Sequence, residues 1–255
     1  MNFQSLPWHK YFLEFLGTFF LTFTLGLALG GGSQIMAGVA GATLATLVYL
    51  GRSVSGAHYN PAISLAMMIH GHLSPKDTGF YALAQIAGAF AGAAMVPALV
   101  QDGSFTFMLV PAGSANLFQV LLAELLFSFL LALVYLHALL GSANQLYSFY
   151  GLAIGLTYGV AWLAIREISG AVLNPALGLG VDTLAGAYEA MWPYLVAPLV
   201  GTSLAAFTFR FTSPKDKPIP LKTYFPDKVE APSQDEIKGD KSGQEADSAL
   251  ETKSE

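Results

Sequence analysis

Two Asn-Pro-Ala triplets, Asn60-Pro61-Ala62 and Asn174-Pro175-Ala176, each follow a Ser-Gly-Ala in the same register, Ser55-Gly56-Ala57 and Ser169-Gly170-Ala171. Asparagine is a strong helix N-cap and proline is favoured at the first helical position, so each triplet predicts a helix start. Both triplets sit between long apolar stretches. In lipid, a helix start with unsatisfied backbone groups is tolerated only where it is buried in protein or lines a cavity. The duplication therefore points to a membrane protein with an internal polar passage.

Composition agrees, since 54% hydrophobic residues, 11% charged residues and a mean hydropathy of +0.53 describe a chain whose solvent is largely lipid. Only twelve of the charged residues precede Ser213, and the other seventeen lie between Lys215 and Glu255. Most of the net charge of −5 thus belongs to the C-terminal end, and nucleic acid is not indicated as a partner. The absence of cysteine rules out disulfides and thiolate metal sites.

With a spanning length of about 20 residues, apolar segments at about 11–31, 35–54, 79–101, 116–140, 147–165 and 188–212 give six spans. The first holds Glu14 and lacks a convincing cleavage site, so it reads as a retained membrane helix. Pro61 to about His70 and Pro175 to about Thr183 are too short to cross and read as re-entrant half-helices. The halves also match elsewhere. Glu14-Phe15-Leu16-Gly17-Thr18-Phe19 parallels Glu124-Leu125-Leu126-Phe127-Ser128-Phe129, and Ala84-Gln85-Ile86-Ala87-Gly88 parallels Ala197-Pro198-Leu199-Val200-Gly201.

Three spans per repeat force the second copy to enter the bilayer in the opposite sense, so the half-helices meet near the middle. The predicted organisation is a transmembrane domain over 1–212, with repeats at about 8–101 and 115–212, and a disordered cytoplasmic tail over 213–255. Lys10, Arg52, Lys76, Arg210, Lys215 and Lys217 fall on the side of both termini, which predicts cytoplasmic ends. The expected location is the cell membrane.

These residues resemble the aquaporin, or major intrinsic protein, family over about 8–212. The resemblance rests on the doubled triplet, the glutamates of the first and fourth spans, the run Ser55 to Ala62, the Ala-Gln-x-x-Gly-Ala at 84–89 and the Pro-Leu-x-Gly at 198–201. It implies an all-α membrane protein of six transmembrane helices plus two re-entrant half-helices in an inverted repeat. It further implies one pore per subunit and a homotetramer. No nucleophile, base and oxyanion arrangement and no phosphate-cradling loop appears, so a passive channel without cofactor or metal is expected rather than an enzyme.

The chemistry follows from the residue types. At an N-cap, the oxygen of Asn60 or Asn174 accepts a backbone N–H, which leaves the NH2 group to donate into the passage and orient a water molecule. The positive ends of two half-helix dipoles oppose hydronium and metal cations there. Glu14 and Glu124, buried ionisable groups within spans, are expected to support the non-helical loops, with proton relay as the alternative. By the family's pattern, His58 lines the cytoplasmic side of the pore; a solvated loop histidine is the competing reading. For His70 and His72, a cytoplasmic loop location competes with a ligand or pH-gating role.

The family usually places Arg after the second triplet, whereas here it is Leu177. By offset from the asparagines, the resemblance implies a filter of Ala40, Trp162, Ala171 and Leu177, with no cation and one donor, the Trp162 indole. Packing or lipid contact is the other reading of Trp162. Passage of water is expected, with glycerol, urea, ammonia or peroxide as alternatives selected by size and apolarity. An inverted-repeat secondary transporter and a non-conducting structural membrane protein are the readings from other classes. Gly88 and Gly92, and Gly151, Gly155 and Gly159, are spaced for close helix crossings.

Overall fold

The computed structural model describes residues 7–30, 35–100, 107–109, 115–141 and 148–213, apart from the side chain of Ala190. All of them belong to one unit, Met1–Pro218. The tail beyond Ser213, including Lys215 and Lys217, and Asp102 lie outside the described residues.

Among the described residues, eight α-helices form in chain order: α1 Trp8–Gly30, α2 Met36–Gly51, α3 Pro61–His70, α4 Pro75–Met95, α5 Leu117–Leu140, α6 Tyr150–Ser169, α7 Pro175–Leu184 and α8 Tyr188–Thr212. No strand occurs among the described residues. The two short helices begin at the predicted prolines. The third span starts earlier than apolarity alone predicts, because Ser74 caps it by accepting the Asp77 N–H at 3.0 Å ahead of Pro75. Asn116 and Gln119 close a capping box at the start of α5. At 16 residues α2 is the shortest of the six long helices.

The packing repeats the sequence duplication. Helix α1 lies on α4 as α5 lies on α8, while α2 against α6 joins the two repeats. Each half-helix packs against the last long helix of the other repeat, α3 on α8 and α7 on α4. Glycines set the closest crossings. A Cβ at Gly88 would stand 2.3 Å from the Phe15 carbonyl oxygen, and one at Gly201 the same 2.3 Å from that of Leu125, a contact equivalent across the repeats. Between α2 and α6, a Cβ at Gly155 would stand 2.3 Å from the Gly41 carbonyl oxygen, so the spaced glycines serve packing within the bundle.

The faces turned away from this interior carry exposed Phe12, Phe20, Leu83, Leu122, Leu163 and Phe211. Large apolar groups on the outside of long apolar helices are the pattern of a lipid-facing surface.

Candidate functional site

Each triplet is entered by a stretch of backbone that helices and strands do not use. Gly56, Ala57 and Tyr59 have φ of 92°, 59° and 50°, and Gly170, Ala171 and Leu173 have φ of 88°, 54° and 51°. Left-handed backbone costs a non-glycine residue about 1–2 kcal/mol, so something must hold these segments. Two buried carboxylates do.

Glu14 accepts the N–H groups of His58 at 3.0 Å and Tyr59 at 2.6 Å, the Ser55 hydroxyl at 2.5 Å and the Gln85 amide at 2.8 Å. Glu124 accepts the N–H groups of Val172 at 3.0 Å and Leu173 at 2.7 Å, and the Ser169 hydroxyl at 2.7 Å. Both carboxylates are 0% exposed. Their oxygens are occupied by donors from the loops and, for Glu14, also from Gln85 on α4.

Sequence reasoning missed the third member of each cradle. Tyr81 donates its hydroxyl to the Ser55 carbonyl, and Tyr194 to that of Ser169, each at 2.6 Å. The signal was present, since Tyr81 precedes Gln85 by the same four residues that separate Tyr194 from Pro198. The repeats diverge at that last pair. Gln85 bonds both Glu14 and the Ser64 hydroxyl, whereas Pro198 has no side-chain donor to offer Glu124.

The loops deliver the asparagines as predicted N-caps. Asn60 and Asn174 are extended, at φ −156° and −147°, and their side-chain oxygens accept the N–H of Ala62 at 2.9 Å and of Ala176 at 3.0 Å. Each NH2 group then reaches into the other repeat. Asn60 Nδ2 donates to the Leu173 carbonyl at 2.8 Å, and Asn174 Nδ2 to the Tyr59 carbonyl at 2.9 Å. One of the two hydrogens on each amide is thus committed, which refines the expectation of a wholly free NH2 group.

Both asparagines border a cavity inside the bundle. Leu21, Leu44, Ile63, Leu131 and Ile154 supply its apolar wall, and His58, Tyr59, Tyr135 and Tyr158 add polar groups. No Asp, Glu, Lys or Arg lines it among the described residues. His58 is 4% exposed, with Nδ1 3.0 Å from the Ser64 hydroxyl, so the solvated-loop reading of this residue fails.

Ala40 on α2, Ala171 in the second loop and Leu177 in the first turn of α7 are all 0% exposed, and Trp162 on α6 is 3% exposed. A lipid-facing Trp162 is therefore excluded. None of the four borders the cavity just described.

At one end of the bundle, the rings of His70 and His72 stack at 4.9 Å, and His70 and His137 both meet Phe209 edge-on. Arg210 donates to the Ile69 carbonyl, placing a cation at the C-terminal turn of α3, where the helix dipole is negative. Burial, and next the neighbouring His70, hold the His72 imidazole down at about 4. Among the described residues, no three His, Asp or Glu side chains gather as a metal-binding group.

Two opposed helix starts, cross-bonded at the wall of one cavity inside a bundle of six long apolar helices, define an inverted-repeat membrane channel. The family model for the major intrinsic protein family matches residues 2–209, and the chain belongs to that family. It is 34% identical to "Glycerol uptake facilitator protein-like 6" of Lactiplantibacillus plantarum over 81% of this chain and 99% of the relative. It is 33% identical to "Aquaporin NIP1-3" of Oryza sativa subsp. japonica over 82% and 76% of the two chains. The aquaglyceroporin structure from Plasmodium falciparum shares the fold with a TM-score of 0.72 at 22% identity, covering 83% of this chain and 99% of that one. The protein is a passive channel for water or small solutes and not an enzyme.

Proposed function

We propose that the chain conducts water and small uncharged solutes while excluding ions and protons at the paired asparagines. The observation that carries this reading is the position of Asn60 and Asn174, both on the cavity wall at the N-termini of α3 and α7. Each helix start is equivalent to about half a positive charge. A cation arriving there meets two such ends and no carboxylate among the described lining residues. Dehydrating it against the surrounding leucines and isoleucines adds several kcal/mol.

Leu177 stands where the family usually places arginine, and with Ala40, Trp162 and Ala171 it would form a filter without fixed charge. Such a filter selects by size and apolarity, which extends the permeant set to glycerol, urea, ammonia or peroxide. The relatives' names span both glycerol facilitators and aquaporins, consistent with this range. In the membrane the chain acts as a homotetramer with both termini cytoplasmic, the side that collects Lys10, Arg52, Lys76 and Arg210.

Stopped-flow light scattering on proteoliposomes tests the proposal, with water, glycerol and urea as solutes. Flux above empty vesicles, unaffected by ion gradients, supports it. Saturable uptake that requires an ion gradient would assign a transporter instead, and no flux of any solute from folded protein would assign a structural role.

A further inference from the structure

The two loops are near copies, yet three positions around them differ together. His58, Ser64 and Gln85 of the first repeat correspond to Val172, Gly178 and Pro198 of the second, none of which carries a polar side chain. In the first repeat the three polar residues form one chain of contacts. Gln85 Nε2 donates to Glu14 at 2.8 Å and to Ser64 Oγ at 3.0 Å, and His58 Nδ1 lies 3.0 Å from the same Ser64 Oγ. Gln85 and Ser64 have no exposure, whereas His58 borders the cavity.

Hydrogen by hydrogen, this chain of contacts fixes the form of the histidine. Four donors reach Glu14, two on each oxygen, so Gln85 turns its NH2 end toward the carboxylate and commits both hydrogens, one to Glu14 and one to Ser64. The Ser64 hydroxyl donates its single hydrogen to the Asn60 carbonyl at 3.2 Å. What remains on Ser64 Oγ is a lone pair, which His58 can use only with a hydrogen on Nδ1. A neutral imidazole protonated there carries a bare lone pair on Nε2. That nitrogen completes no hydrogen bond with a described residue, and it is open rather than sealed within the bundle. Gly56 leaves room beside it, since a Cβ at Gly56 would stand 3.0 Å from Nε2.

We propose that Ser64 and Gln85 are positioning residues that hold His58 with Nδ1 protonated, so that Nε2 presents a hydrogen-bond acceptor to solute in the cavity. The class of solute served is an uncharged molecule carrying O–H or N–H hydrogens. Such a molecule accepts the remaining amide hydrogen of Asn60 or Asn174 and donates to His58 Nε2. Without Ser64 the ring is free to carry its hydrogen on Nε2, which turns the acceptor into one more donor. This inference rests on the channel reading and assigns part of its selectivity.

Nitrogen-15 NMR of the full chain in lipid nanodiscs near neutral pH reads the tautomer, because a bare ring nitrogen resonates far downfield of a protonated one. His58→Gln assigns the signal among the five histidines. Wild type shows Nδ1 protonated and Nε2 bare, Ser64→Ala populates the form protonated on Nε2, and Ser64→Thr, which keeps the hydroxyl, restores the wild-type pattern. In proteoliposomes, loss of one hydrogen bond to the solute lowers glycerol permeability per channel roughly three- to tenfold in Ser64→Ala, and Ser64→Thr recovers it. A wild-type His58 protonated on Nε2 overturns the proposal without any variant, so a Ser64→Ala that fails to fold does not protect it. An unchanged tautomer in folded Ser64→Ala overturns the positioning role, and unchanged glycerol permeability there overturns the solute contact. Wild type that passes neither glycerol nor water overturns the channel reading and the contact with it, a failure the NMR measurement does not share.

Discussion

Asn60 donates to the carbonyl of Leu173, the residue before Asn174, and Asn174 donates to the carbonyl of Tyr59, the residue before Asn60. The reciprocal bonds close a ring across the pseudo-twofold axis, so each asparagine caps its own half-helix and tethers the loop that presents the other. Each residue therefore acts on two helix starts. The same amides border the cavity, which couples the integrity of the junction to whatever passes it.

Asn60→Asp keeps an acceptor for the Ala62 N–H but loses the donor to Leu173 and adds negative charge beside two positive helix ends. Losing the donor at a buried site costs about 1–3 kcal/mol, read as a lower unfolding temperature in detergent. The cation barrier also falls, so vesicles with an entrapped pH dye should acidify faster than wild type under a proton gradient. Acidification at the wild-type rate in correctly folded variant would remove Asn60 from the barrier.

Glu14→Ala should be more damaging than Glu124→Ala. The first strands two backbone N–H groups, the Ser55 hydroxyl and the Gln85 amide, while the second strands two N–H groups and the Ser169 hydroxyl. Each orphaned buried donor costs about 1–3 kcal/mol. The yield of monodisperse protein on gel filtration ranks the two variants, and equal yields would contradict the ordering.

Leu177→Arg introduces a long cation into the first turn of α7, at a position with no exposure. If residue 177 lines the conduit, the guanidinium narrows it and lowers glycerol flux relative to water flux. Stopped-flow measurement of both solutes checks this, and an unchanged ratio would take residue 177 out of the filter.

Gly155→Ala places a methyl 2.3 Å from the Gly41 carbonyl oxygen, where only backbone can give way. The crossing of α2 and α6 must open, at a cost of about 1–3 kcal/mol. Gly38, with nothing within 4 Å of an added Cβ, is the matched control. Thermal unfolding of the two alanine variants should differ by that margin.

His72 lies outside the spanning helices and, with its imidazole held at about 4 against an ordinary 6.5, binds a proton less readily folded than unfolded. Stability from this group is therefore complete above about pH 6.5, declines as pH falls toward 4 and levels off below. The loss at pH 5 is about 1–2 kcal/mol. Unfolding temperatures between pH 7.5 and 5 should fall for wild type and stay flatter for His72→Gln.

Much of this was legible in the chain because it is local. An asparagine followed by proline specifies a capped helix start within three residues, so Pro61 and Pro175 begin α3 and α7 as the triplets require. Apolar length marked five of the six long helices, α2 at 16 residues falling short of a full span, and the duplicated register marked the halves as equivalent. Ser74 shows the limit of apolarity as a guide, since the helix it caps begins in the polar run Pro75-Lys76-Asp77.

Only the folded bundle decided what the polar groups touch. Nothing local predicts left-handed backbone at Ala57, Tyr59, Ala171 and Leu173, which disfavour it; carboxylates 41 to 49 residues away in sequence hold it. Likewise the second hydrogen-bonding partner of each asparagine lies more than a hundred residues along the chain. The sequence by itself determined the helices, their caps and the inverted repeat, because these depend on neighbours and on transfer into lipid. Tertiary structure determined the cradles, the reciprocal asparagine bonds and the cavity they border, because a buried polar group takes the partner that packing brings to it.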